Sequence, residues 1–419
     1  MRTELNVLHV VPRWNHGGPA ASLVLEAKHA KLVGSGIAHR VLALEPGGSS
    51  AMVRDALRAR LRLHPCPPHD EETKLVRDAH VVVLHYWNTP SLRRFIDRWR
   101  GVPLRWMFTS HVNGLHQPQL LPPVLGASAC HVVLTSQHLY SRFGPGRATV
   151  IPAIADLSEA RADTAVGAEG SIVHVGTLNV FKLSPHFVPL HAPTADPACP
   201  VLVGGSGGDE DRFRAEAAEL GVADAFRWLG FVSDVPALLA EARLLSCPAS
   251  RFSYATSDKV IQMAQASGVP VLVQRDAPVA HLVRDGVSGI LVDDLADFAR
   301  KLAAIADGSL DLPSRAAVRE AALEDHDPAP KHRALEAIYR GVEAGSAKPL
   351  DDGFADLSSW IDFQVGDAGE LREVRRPTLA ALRNDEVLAR HQRWGCEGGL
   401  AQALNAFSEL AGWWKEIDG

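Results

Sequence analysis

Two series of short apolar runs, each about as long as a buried strand and separated by helix-like stretches, restrict this chain more than any other feature. The first series is Asn6–Val11, His39–Leu44, His80–Leu84, Leu104–Thr109, His131–Leu134 and Ala148–Pro152. The second is Ser171–Val175, Pro200–Val203, Phe226–Gly230, Leu244–Cys247, Val269–Val273 and Gly289–Val292. Continuous β-branched runs of this length mark parallel strands covered on both faces. Helical periodicity fits between them, notably at Asp209–Leu220, Val235–Ala242 and Asp258–Ala266. The alternation predicts an α/β chain of two Rossmann-like domains facing across a cleft, with ligands outside the carboxyl ends of the strands.

The opening stretch, Asn6 to Ala27, shows the unit at its clearest. An apolar strand runs into Gly17-Gly18-Pro19, and periodic Ala21, Leu23, Val24 and Ala27 follow. Proline suits the first helical turn because its missing N–H has no partner there. Glycines before a helix start let backbone N–H groups approach an anion, so this loop is a candidate phosphate site. The competing reading is a plain strand-to-helix turn.

At 419 residues the chain exceeds the size of a single growing core. A polar stretch without periodicity, Ala155 to Gly170, reads as a linker, and Glu343 to Gly353 as a second. The expected division is a first Rossmann-like domain over 1–160, a second over 165–330, a crossover helix and linker over 331–353, and a helical extension over 354–419. The extension ends on Leu404, Phe407, Leu410, Trp413 and Trp414, a stripe that suits packing on the main body, a homo-oligomer contact or an acceptor lid.

A net charge of −6 argues against nucleic acid as partner. Five cysteines, Cys66, Cys130, Cys199, Cys247 and Cys396, show no CxxC spacing and read as reduced thiols of a cytoplasmic protein. No signal peptide or membrane span is expected.

Taken in order, these features resemble the large retaining family of GT-B-fold glycosyltransferases (group 1, or family 4-like) that use nucleotide sugars. The likeness covers residues from about 5 to about 340 and rests on Val10–Pro19, Thr109–Gly114, Val150–Asp156, Val173–Leu178 with Lys182, Leu202–Gly207, Trp228–Val232, Gly268–Val273 and Asp285–Val292. It implies an acceptor half, then a nucleotide-sugar donor half. The expected enzyme moves a sugar from a UDP- or GDP-type donor to a small-molecule acceptor, with retention and without a metal. The nucleotide sugar is co-substrate, and no cofactor is called for. Small-thiol or specialised-metabolite biosynthesis is the expected setting.

The resemblance implies roles for particular residues. Lys182 is the phosphate-facing cation, beside Gly176, and His111 ends a strand near the donor sugar. Gly17 and Gly18 approach the donor phosphates, while Phe231 and Val232 read the base. Trp14, His16, Tyr86 and Trp87 lie at other strand ends of the first half and suit an acceptor pocket; core packing is the alternative for Trp14 and Trp87. One departure stands out. Family members carry two glutamates about two helical turns apart, and the corresponding positions here are Met263 and Ala255. Gln262 takes the ribose place after a one-residue shift. Thr256 and Ser257 then present hydroxyls and N–H groups to a diphosphate at the helix start, with Asp258 as cap.

Other chemistries fare less well. No HExxH or Cys/His ligand spacing occurs among the 19 histidines, so no metal site is expected. The Asp209/Asp211 and Asp325/Asp327 pairs read as helix caps, and Gly204–Gly208 as a flexible turn rather than a hydrolase elbow. A GT-B sugar-nucleotide epimerase and a non-catalytic nucleotide-sugar-binding member remain the alternative functions.

Overall fold

The computed structural model describes residues 4–355, apart from 16–17, 47–49, 88, 116–119, 144–145, 162–169, 181, 195 and 252, together with 359 and 363. The predicted helical extension thus lies almost wholly outside the described residues. The chain divides into two compact units, residues 1–153 with those from 329 onward, and residues 154–328. The break falls at 153, ahead of the polar stretch, because Ala155 and Leu157 bury themselves against Ala266 and Ala322 of the second unit.

The first unit is built on a seven-stranded sheet. Across it run Arg62–Pro65, Ile37–Ala43, Leu5–Val11, Val81–Tyr86, Trp106–Ser110, His131–Leu134 and Ala148–Val150. Every neighbouring pair is parallel. In order of appearance the strands lie 3-2-1-4-5-6-7, the doubly wound arrangement that opens a crevice beside the first strand. Strand Arg62–Pro65 has no counterpart among the sequence expectations. It is an edge strand with no fully buried residue, so it lacks the apolar run that betrays the others.

The second unit repeats the order with six parallel strands: Phe226–Gly230, Val201–Gly204, Ser171–Val175, Ala242–Cys247, Val271–Gln274 and Gly289–Val292. Its two cores show why both faces must be covered. Ile172, Leu244, Leu272 and Ile290 pack into one, while their chain neighbours Val173, Leu245, Val271 and Leu291 pack into the other. Successive strand side chains point to opposite faces, so an unbroken apolar run supplies both cores. Helices begin where short side chains cap them: Asp258 accepts from the Val260 N–H, Asp294 from Asp297, and Ser314 from Ala317.

The stretch Glu343 to Gly353 departs from its reading as a linker. Lys348–Pro349 pairs antiparallel with Pro103–Leu104, and Leu350 is fully buried. Asp352 meets the buried Arg93 guanidinium at 3.0 Å, and Arg100 at the same distance. These contacts are ionic and non-periodic, which is why local composition does not announce them.

Candidate functional site

In the second unit the sequence-predicted donor residues converge at the carboxyl ends of the strands. Ser171–Val175 ends at Gly176, whose N–H donates to the Gly204 carbonyl at 2.9 Å. Gly205 follows the neighbouring strand with φ of +125°, and a Cβ there would stand 1.8 Å from the Gly176 carbonyl oxygen. Only glycine allows these two turns to approach so closely.

Lys182 enters from the loop after Gly176. Its backbone N–H donates to the Asn179 carbonyl, and its Nζ lies 3.0 Å from Asp258 Oδ2. Burial alone would lower the ammonium pKa. The Asp258 carboxylate, helped by the Tyr254 phenol, outweighs that effect and carries Lys182 up to about 12. The charge is therefore permanent at physiological pH. Asp258 is itself held as the cap of helix Lys259–Ala266, so the ion pair is anchored to that helix start.

A further group joins this site that the sequence reading did not single out. His174, in the same first strand, is buried and shares a hydrogen bond between Nδ1 and the Ser246 carbonyl at 2.9 Å. A carbonyl only accepts, so Nδ1 carries the proton and Nε2 offers a lone pair. That Nε2 has no hydrogen-bond partner among the described residues. Burial, with the nearby Lys182 cation, pushes its pKa down to about 4 against the Ser246 bond. A Cβ placed on Gly176 would stand 3.5 Å from both His174 Nε2 and Lys182 Nζ. Glycine at 176 thus lies in contact range of both a cation and an imidazole lone pair. The available signal was a histidine interrupting the apolar run Ile172-Val173-His174-Val175.

The remaining donor candidates are disposed as follows. Thr256 is buried, while Ser257 is partly exposed just before the capped helix. Gln262 is fully buried and its Nε2 donates to Ser257 Oγ at 3.3 Å, so it supports Ser257 from beneath. Phe231 and Val232 follow strand Phe226–Gly230; Phe231 is 68% exposed, and Val232 lies against the position a Cβ on Gly204 would take, at 3.0 Å. Asp209 stands at the cap position of helix Glu210–Glu219, but its side chain turns elsewhere: its Oδ2 accepts from the Val180 N–H.

The first-unit candidates separate into two groups. His111 is half-buried just beyond strand Trp106–Ser110, and its Nε2 shares a hydrogen bond with His85 Nδ1 at 2.8 Å. Trp87, after strand Val81–Tyr86, is likewise half-buried. Trp14 and Tyr86 are instead packed inside. Trp14 is fully buried among Leu23, Val24 and Val41, and the Tyr86 hydroxyl donates to the Leu120 carbonyl at 3.1 Å. Gly18 opens helix Gly18–Val33 with open space where a Cβ would stand. Its neighbours His16 and Gly17 lie outside the described residues.

Among the described residues, no helix is long and apolar enough to cross a membrane. Residues 170–307 match the family described as Glycosyl transferases group 1. Solved structures of the same fold include Anabaena Alr3699/HepE in complex with UDP and glucose, at TM-score 0.60 and 17% identity, over 80% of this chain and all of that one. A glycosyltransferase from Rickettsia africae aligns at TM-score 0.61 and 14% identity, over 83% and 100%. Sucrose-phosphate synthase from Thermosynechococcus elongatus aligns at 0.60 and 15%, over 81% and 99%. No curated protein sequence matches the chain. Residues 170–307 of the second unit thus match the group 1 glycosyl transferases, within a chain whose two Rossmann-like units share the GT-B fold of these structures.

Proposed function

We propose that this chain transfers a sugar from a nucleoside-diphosphate sugar to a small-molecule acceptor, with Lys182 receiving the departing diphosphate. The observation that carries this reading is the convergence of Lys182 Nζ and His174 Nε2 beside Gly176, where an added Cβ would stand 3.5 Å from each. Support comes also from the family match over the same residues and from the UDP bound in the HepE structure of like fold.

The chemistry follows from charge. As the anomeric C–O bond breaks, positive charge grows on the sugar and negative charge on the diphosphate, and fixed donors are most effective against such charge. An ammonium has three donors, so pairing with Asp258 still leaves directions for phosphate oxygens. Thr256, Ser257 and the helix start behind them add N–H groups of the favourable sign. Phe231 and Val232 serve the base. The acceptor's nucleophilic atom forms the new bond to the anomeric carbon as the bond to the diphosphate breaks, and its proton passes to a leaving-phosphate oxygen on the same face, which gives retention. In the first unit, His111 is the candidate beside the donor sugar and Trp87 the working candidate for the acceptor.

A thermal-shift panel of UDP, GDP and dTDP, followed by product analysis with and without acceptors, tests the reading. Stabilisation by one diphosphate and acceptor-dependent product of unchanged anomeric configuration are expected. Conversion of the donor without acceptor would make the chain an epimerase, and an inverted product would remove the same-face step.

A further inference from the structure

The first unit gathers titratable side chains that the proposed reaction does not use. His9 pairs in register with Val41 and Val83 on its two neighbouring strands. His39 lies two residues before Val41, and His85 two residues after Val83. A period of two keeps all three rings on one face of the sheet, set along a diagonal. His9 Nε2 is 2.9 Å from His39 Nδ1, and His9 Nδ1 is 2.9 Å from His85 Nε2. Helix Gly18–Val33 brings Glu26 to the same place, buried on the helix's inward side. One ligand atom from each of His9, Glu26 and His39 lies within 4.8 Å of the others.

From this convergence we propose that His9, His39 and Glu26 form a buried site for a divalent transition cation of the zinc class. Two imidazoles and a carboxylate suit zinc better than magnesium or calcium, which prefer all-oxygen shells. Tetrahedral ligands at zinc-like bond lengths stand about 3.4 Å apart, so the three atoms need only modest adjustment. Burial keeps the rings neutral, pushing His39 down to about 4 and His9 well below the usual imidazole value, so their lone pairs are available at neutral pH.

The surroundings match what metal ligands ask of their neighbours. Ligating imidazoles and carboxylates are commonly fixed by hydrogen bonds on their far side. The Tyr339 hydroxyl donates to Glu26 Oε2 at 2.8 Å, and His85 holds His9 Nδ1. The site also has a consequence for the candidate active-site histidine. Ligation through His9 Nε2 leaves the His9 proton on Nδ1, which donates to His85 Nε2. His85 then carries its proton on Nδ1 and donates to His111 Nε2. The cation therefore sets His111 as the Nδ1–H tautomer. This inference is independent of the proposed transfer reaction.

The full chain, produced without a polyhistidine tag, is incubated with zinc chloride, desalted and assayed for bound metal by mass spectrometry. About one zinc per chain is expected, falling to roughly a tenth or less in Glu26→Gln and His39→Ala. His186→Ala, which removes an exposed histidine elsewhere, keeps the full amount. Cobalt(II) provides a second readout should His39→Ala misfold: wild type shows the visible absorption of tetrahedral cobalt, and the near-isosteric Glu26→Gln loses it. Imidazole nitrogen shifts of the zinc-loaded chain should report His111 as Nδ1–H. Wild type that desalts without metal, Glu26→Gln that retains as much as wild type, or an Nε2–H His111 in the loaded chain would each overturn the proposal.

Discussion

A histidine stands near the carboxyl end of the first strand in both units, His9 in one and His174 in the other. The surrounding strand order is the same, yet the two rings are used differently. His9 engages both nitrogens, with His39 and His85 on the flanking strands. His174 engages one, and its other nitrogen lies beside Gly176 with Lys182 Nζ close by. The scaffold fixes where such a ring stands; the side chains on adjacent strands decide whether one or both of its nitrogens are engaged.

Acid should have the largest effect, and on both units, because each buries neutral histidines, His39 in the first and His174 and His191 in the second. His174 and His191 of the second unit are buried and neutral, each with its pKa pushed by burial from 6.5 down to about 4. An unfolded chain takes up those protons first on acidification, so the stability they confer is complete above pH 6.5 and lost as pH falls toward 4. The loss should reach about 2–3 kcal/mol per ring. His191→Gln should remove about half of this acid sensitivity, read as peptide-resolved hydrogen exchange within residues 171–292. An unchanged pH profile would place the sensitivity elsewhere.

Next in size is the buried ion pair of the first unit. Asp352→Ala takes one carboxylate from the buried Arg93 guanidinium, which keeps Asp97 and the Phe354 carbonyl, and should cost about 1.5–3 kcal/mol. Denaturant unfolding followed by hydrogen exchange should localise that loss to the first unit, leaving the protection of the second unit unchanged. Loss of protection confined to the second unit would break the separation. The smallest effect is a cap: Asp294→Ala removes the acceptor of the Asp297 N–H at 2.7 Å and should cost about 1 kcal/mol, in the second unit alone.

Much of the scaffold was legible because buried parallel strands must be apolar on both faces. His131–Leu134, Ser171–Val175, Phe226–Gly230 and Gly289–Val292 stand where the sequence places them. Arg62–Pro65 and Lys348–Pro349 were not legible, since an exposed edge and an ion-paired tail need no apolar run. In the site, Lys182 and Gly176 came through the family resemblance, and their meeting with Asp258 came only from coordinates. The row of His39, His9, His85 and His111 escaped because its members are distant in sequence and no ligand spacing joins them. Its one signature is a histidine within or just beyond each of four apolar strands, together with Glu26 on the buried side of a helix.

The account rests on Lys182 as the cation that meets a diphosphate, and calorimetric titration of UDP and GDP into wild type and Lys182→Ala tests it most directly. Charge-assisted hydrogen bonds to phosphate contribute about 1.5–3 kcal/mol, so the substitution should weaken the preferred nucleotide by roughly tenfold to a hundredfold, with Lys182→Arg recovering part of it. Equal affinity of wild type and a folded Lys182→Ala for that nucleotide would contradict the account.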